Sequence, residues 1–496
     1  MRKYVFCFLI SVFCLLFSVF CPLTHANNIA VSNVTLTGQS PSASTAKAQF
    51  DITWNNSWRN NINYDAAWVF VKYSTDGGTT WAHATLKTSG TNPAGFSQGT
   101  GSGLDIMVPV DNKGAFLQRS ADGSGTVSTT AVQFVWDWGS DKLSSDGVTA
   151  IAASTSTRVK VYAVEMVYIP QGAFYAGSGG TGTSEFTKTL INTATATTAP
   201  SGSPLAGGYP SGQTAPANAS WSNGYPAFYS MKYGISQGEW VDFFNTLTAA
   251  QKAIRDITGN VTDDSVAYGG KNSQATVYRN TVSWAGGSDS ASAGTNQYVA
   301  CNYLCWSDIV AFADWAGLRP MTELEYEKAC RGTLDPVADE YAWGSTAITA
   351  ATGITNSGAI NETASPTTAN CVYNNSGTGG PLRGGFAATS TSSRAQAGAS
   401  YYGVMELSGN LWNRSVTIGN STGRAFTGIH GDGVLSATGN ANTTNWPGTA
   451  ATGSGFRGGN WSYASSYGRV SARSSAADTG AGRSNRYGGR CVRTSP

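Results

Sequence analysis

The chain has 496 residues, of which 12% are charged, and 31 Lys+Arg against 29 Asp+Glu give a formal net charge of +2. So sparse and balanced a charge excludes a highly charged disordered chain and the basic footprint of a nucleic-acid-binding protein. The 60 Gly, 15 Trp, 22 Tyr and 19 Phe predict a loop-rich, aromatic-cored fold, in about two to four domains.

Residues 1–26 read as a secretory signal peptide: Arg2 and Lys3, an apolar run from Tyr4 to Phe20, then Thr24-His25-Ala26 at the cleavage position. Phe20 is too bulky to precede a lipidated Cys21. No later stretch is long and apolar enough to cross a membrane. The mature protein is therefore expected to be exported, to the periplasm, the cell surface or the medium, with no transmembrane helix after cleavage. Removal of Cys7, Cys14 and Cys21 leaves Cys301, Cys305, Cys330, Cys371 and Cys491. An odd number allows at most two disulfides. Cys301 and Cys305 lack a second pair at zinc-ligand spacing. The histidines are His25, His83 and His430, which excludes a multi-His metal centre; a Ser-His-Asp relay would need His83 or His430, and neither lies in a recognisable motif.

Residues 27–163 predict an all-β, sandwich-like module. Gln49 to Trp54 alternates in and out, Trp68 to Tyr73 is rich in strand formers, and Val132 to Trp138 and Arg158 to Val164 repeat the pattern. A second unit, 164–496, opens on a strand, Met166 to Phe174. A Gly/Ser/Thr/Pro-rich surface loop is expected over 176–222. Three short helices follow: Ser236 to Leu247, with its aromatic residues on one face; Trp306 to Trp315, stopped by Gly317; and one opened by the capping box Thr322-Glu323-Leu324-Glu325 and closed by Gly332. From 333 onward, Gly-, Ser- and Asn-rich loops carry isolated Trp and Phe anchors.

Several blocks then occur in a distinctive order: Val164 to Gly172; Ile235-Ser236-Gln237-Gly238-Glu239-Trp240; Asp314-Trp315-Ala316-Gly317-Leu318-Arg319-Pro320-Met321-Thr322-Glu323; Gly409-Asn410-Leu411-Trp412; Phe456-Arg457-Gly458-Gly459-Asn460-Trp461; and Gly489-Arg490-Cys491-Val492-Arg493. Over roughly 164–493 this set resembles the formylglycine-generating enzyme (sulfatase-modifying factor) family. The resemblance implies an α+β, C-type-lectin-like domain of that enzyme's type. It also implies two reactive cysteines after the Gly-Gly motif, but their positions fall here on Tyr463 and Gly468. Copper(I) binding and thiol oxidation need soft thiolates, which these residues cannot supply. The resemblance further implies calcium at the Gly409-Asn410-Leu411-Trp412-Asn413-Arg414 segment. With Asn413 in place of a glutamate, a structural calcium would rest on Asn410 and Asn413. No other cofactor is expected. Cys491 matches a structural cysteine of the family, and Cys330 with Cys371 or Cys491 is the expected disulfide set.

The tail, 456–496, resembles the variable segment of proteins mutated by diversity-generating retroelements. Gly, Arg and Trp positions alternate with short runs of Ser, Ala, Tyr, Asn, Asp and Thr, a composition shared with antibody paratopes. The expected contacts to a protein or glycan ligand are Asn460, Ser462, Tyr463, Ser465, Tyr467, Ser474, Ser475, Asp478, Ser484, Asn485, Arg486 and Tyr487. Trp461 is expected in the core. The tail's seven arginines (457, 469, 473, 483, 486, 490 and 493) face one acid, Asp478; they are expected mainly to bridge buried carboxylates and loop carbonyls. The resulting expectation is an exported, non-enzymatic, receptor- or adhesin-like binding protein. The alternatives are a sulfatase-modifying oxidase or related maturation enzyme, and a surface-layer protein in which the β-module does the work.

Overall fold

A computed structural model of the chain describes residues 28–141, 157–180, 184–194, 213–216, 218–259, 262–263, 266–267, 269–287 and 289–496. The expected signal peptide, with its three cysteines, and parts of the expected loop over 176–222 lie outside the described residues.

The chain opens with strands β1 (Ala30–Ser40), β2 (Thr45–Arg59) and β3 (Asp65–Ser74), followed by β4 (Leu104–Val108), β5 (Ala115–Arg119), β6 (Gly123–Trp136) and β7 (Arg158–Ile169). Strand β8 (Phe228–Met231) leads to helices α1 (Gln237–Phe244) and α2 (Trp306–Trp315), the short strand β9 (Arg319–Pro320) and helix α3 (Glu323–Arg331). Strands β10 (Asn413–Val416), β11 (Ser454–Arg457) and β12 (Cys491–Thr494) complete the frame, with long loops and a few shorter elements between them.

Two sheets organise these strands. A four-stranded sheet runs β1-β2-β6 and ends on Thr100–Gly101. A nine-stranded sheet runs β9-β12-β8-β7-β3-β5-β4 and ends on Gly90–Thr91, with Ala82–His83 beside β3. Strand β7 joins the two halves of the molecule. It pairs antiparallel with β3 from Arg158↔Ser74 to Val167↔Asp65, and on its other edge with β8 from Met166↔Met231 to Ile169↔Phe228. The expected boundary between residues 163 and 164 therefore falls inside one strand.

Strand β3 is buried on both faces, and its period of two divides its side chains between two cores. Ala67, Val69 and Val71 point toward β2 and β6 and pack with Phe50, Trp54, Phe134 and Trp136. Ala66, Trp68 and Phe70 point the other way and pack with Phe243, Phe312 and Trp315 from α1 and α2. Polar groups reinforce this second contact. Trp68 Nε1 donates to the Ala316 carbonyl at 2.7 Å, Lys72 Nζ to the Trp315 carbonyl at 2.7 Å, and Asn63 Nδ2 to the Tyr402 carbonyl at 2.7 Å. Close to the C-terminus, Arg493 pairs with Asp111 at 2.5 Å.

The three helices lie where their sequence signals place them. Ser236 and Thr322 each accept from the N3 amide while Glu239 and Glu325 reach back, closing two capping boxes. Cys305 caps α2, with Asp308 accepting from its amide at 3.0 Å.

The expected disulfide is not formed: all five described cysteines are free and buried. Cys330 lies in the core around Met321 and Tyr326, Cys371 beside Tyr341 and Trp343, and Cys491 in the main core. Three separate packing clusters keep the three sulfurs apart. Both described histidines are tied to main chain: His83 Nε2 lies 2.6 Å from the Lys113 carbonyl, and His430 Nε2 accepts from the Thr494 amide at 3.0 Å.

Candidate ligand-binding face

The tail is carried by the β10–β11 pair, in which Asn413 faces Arg457 and Arg414 faces Phe456. Trp412 precedes β10 and Gly458 follows β11, so both segments leave the ladder at the same end. A bridge from Trp412 to Tyr487 brings the far end of the tail to the same place. The Gly-Gly motif has a steric reason. Gly458 has φ +87°, and a Cβ there would lie 2.3 Å from the Leu407 carbonyl oxygen; Gly459 has φ +71°, and a Cβ there would lie 2.9 Å from the Gly468 nitrogen.

Buried ion pairs hold the tail onto α2 and α3. Arg457 donates to Glu323 at 2.9 Å and to Glu327 at 2.6 Å, and Arg473 donates to Glu323 at 2.8 Å. Burial alone would raise the Glu323 carboxyl; Arg473 and Arg457 outweigh it and hold the group below its ordinary value. Arg483 pairs with Asp308 at 2.8 Å, and Arg255 lies on the same carboxylate at 2.9 Å. Burial would raise Asp308 too, but the two guanidiniums bring it down. Arg469 meets Asp339 at 2.9 Å, and Arg493 meets Asp111. Arg490 binds Asn413 Oδ1 at 2.8 Å and the main-chain carbonyls of Met231, Lys232, Met405 and Glu406.

Arg486 is different. Its guanidinium carbon lies 5.0 Å from the Tyr463 ring centre, and among the described residues no carboxylate is within 4.0 Å of it.

Above this frame lies an aromatic cluster. Trp412 is met edge-on by Tyr463 at 6.0 Å and Tyr467 at 5.9 Å, and the two tyrosine rings are 5.2 Å apart. Phe456 packs on Trp412 at 5.7 Å and on Tyr487 at 4.5 Å, with Arg414 4.0 Å over its ring. Tyr463 is 37% exposed; Tyr467, Arg486 and Tyr487 are half-buried.

Four of the expected contact residues, Tyr463, Tyr467, Arg486 and Tyr487, thus converge on one patch. Asn460 does not belong to its surface and is corrected to a structural role. It is 1% exposed, and its Oδ1 accepts from the Ser462 amide at 2.9 Å, the Ser462 hydroxyl at 3.1 Å and the Tyr463 amide at 3.2 Å. This turn aims Tyr463 outward. Ser465 begins the short helical turn Ser465–Gly468. Ser474 lines a hollow beside the patch with Glu185, Ser466, Tyr467, Arg469 and Arg473. Ser475 is half-buried, and its carbonyl accepts from Phe456. Asp478 is exposed and caps the Gly480 amide at 2.8 Å. The Ser484 hydroxyl bonds Asn485 Oδ1 at 3.4 Å, and the Asn485 carbonyl accepts from Trp461 Nε1 at 2.9 Å. Trp461 is buried.

The sequence reading missed Tyr278. It is 47% exposed, and its ring lies 5.5 Å from Trp461. It comes from a loop with no motif, 185 residues before Tyr463 in the sequence; only its residue type pointed to it.

The segment expected to hold calcium does not fit that ion. Asn410 Oδ1 accepts from the Leu382 amide at 2.8 Å while its Nδ2 donates to the Leu382 carbonyl at 3.1 Å. The Asn413 oxygen is taken by Arg490. Glu406 lines the same small hollow, and burial pushes its carboxyl up to about 7. A hard cation needs several free oxygens, and a guanidinium already lies among these. Among the described residues, no group of three or more His, Cys, Asp or Glu is placed to hold a metal.

Nor are the thiols poised for chemistry. Burial raises all five: Cys305 to about 11, Cys330 to about 12, and Cys301, Cys371 and Cys491 upward as well. A reactive cysteine needs the opposite, a lowered pKa and access to solvent.

Comparison with curated proteins finds no match. Comparison with protein families matches residues 152–495 to the sulfatase-modifying factor enzyme 1-like domain. The match covers more than half of the chain and takes in β7, the three helices and the tail to residue 495: the chain belongs to the sulfatase-modifying factor enzyme 1-like family.

Proposed function

We propose that this is an exported, non-enzymatic binding protein, which uses a C-type-lectin-like scaffold of the formylglycine-generating type to present the patch around Tyr463, Tyr467, Arg486 and Tyr487 to a ligand. The observation that carries the reading is a replacement in place. Where the family's thiol pair would lie there are Tyr463 and Gly468, and Tyr463 is the exposed edge of an aromatic cluster seated on an ion-paired frame. Tyrosine offers a large contact area with little side-chain entropy to lose. The division of the tail supports diversification of the retroelement kind. Its arginines at 457, 483 and 490 are buried anchors, with Arg473 half-buried on Glu323, and the residues between them include the surface positions. Changes at the latter leave the anchors in place.

The test is capture from an array of purified surface proteins and glycans by the full mature chain, beside a Tyr463→Ala/Tyr467→Ala variant. Ligands held by the parent and lost by at least about tenfold in the variant are expected, as for removal of interface hot spots. Equal capture by both proteins would remove the assigned face.

A further inference from the structure

The chemistry of the ligand can be read from Arg486, the tail arginine that meets no carboxylate among the described residues. Six of the seven are committed: Arg457, Arg469, Arg473, Arg483 and Arg493 to carboxylates, and Arg490 to Asn413 and carbonyl oxygens. Arg486 is fixed only through its main chain, whose carbonyl accepts from Trp412 at 3.0 Å and whose amide reaches the Ser484 hydroxyl at 3.4 Å. Its side chain lies on Tyr463. A guanidinium laid on an aromatic ring is partly pre-oriented and partly desolvated, and a guanidinium offers its N–H groups in a fork that matches a carboxylate.

Several neighbouring polar side chains are already engaged by local hydrogen bonds. The Ser462 hydroxyl bonds Asn460, the Ser484 hydroxyl bonds Asn485, and Asp478 caps Gly480. An apolar side chain next to an acid would find both a ring surface and a cation there.

Resting on the reading of this patch as a binding face, we infer that its partner is a protein segment presenting an aspartate or glutamate beside an apolar side chain, the carboxylate pairing with Arg486 and the apolar group packing on Tyr463 and Tyr467.

The test pans a phage-displayed library of short random peptides on the immobilised full mature chain. Enriched peptides are expected to carry Asp or Glu next to an aromatic or aliphatic residue. Their affinity should fall by at least about tenfold in Arg486→Gln, with Arg486→Lys in between because it keeps the charge and loses the fork. Tyr463→Ala should weaken the same peptides. Thermal unfolding at the parent temperature certifies each variant as folded.

Failure to enrich any peptide overturns the inference, as do enriched peptides without acids. Binding that Tyr463→Ala abolishes and Arg486→Gln leaves intact overturns the acidic partner and keeps the face. Binding untouched by either variant removes the face as well. An array of sialylated and uronic-acid glycans forms the second arm; Arg486-dependent capture there, with no peptide bound, assigns the carboxylate to a sugar and overturns the protein partner.

Discussion

Replacing Arg457 with methionine is expected to destabilise the protein by about 3–5 kcal/mol, the usual cost of removing one partner from a buried ion pair. The side chain is fully buried and joins Glu323 to Glu327, and it also donates to the Val470 carbonyl at 2.7 Å. Methionine fills much of the volume but leaves two carboxylates facing each other with less cationic charge between them. Arg473 still covers Glu323, and Arg331 still covers Glu327 at 3.2 Å, which keeps the loss within that range. Chemical denaturation of parent and variant measures it. A loss below about 1 kcal/mol, the scale of an exposed pair, would show that the tail is not held by this network.

Removing residues 28–157 is expected to abolish cooperative folding of what remains. Trp68, Phe70 and Phe116 from the first part of the chain are fully buried in the core that α1 and α2 complete. Truncating a single such aromatic residue costs about 3–5 kcal/mol, and whole domains hold only about 5–15 kcal/mol. The deletion would also strip β3 from β7 and leave a long unpaired edge, which favours aggregation. The measurement is thermal unfolding of the truncated chain followed by circular dichroism. No sharp transition is expected; a sharp one near the parent temperature would mean that the first part is an independent spacer.

Local signals in the sequence are legible where local physics decides. The helix over Trp306–Trp315 was legible from its apolar face and its glycine stop, and α3 from its capping box, because both depend on neighbours within a turn. Strand β3 was legible as a strand. That it would serve two cores was not, because the partners of its two faces come from β2 and β6 on one side and from helices more than 160 residues away on the other.

The same contrast holds at the candidate site. The exposure of Tyr463 was legible from the small residues around it. Asn460 was not legible as a buried turn-former, since composition does not tell an Asn that bonds its own backbone from one that bonds a ligand. Cysteine counting gave a parity and no distances, so the expected disulfide failed on packing. That the tail arginines would bridge carboxylates was foreseeable in kind; which one would be left unpaired depended on where each carboxylate came to lie.

The proposed binding role requires that this scaffold carry out no thiol-based oxidation. The most direct measurement supplies the full mature chain with copper(I), oxygen and a cysteine-containing sulfatase peptide, and follows formylglycine formation by mass spectrometry. No conversion above a protein-free control is predicted; catalytic turnover of the peptide would contradict the reading of this chain as a binding protein.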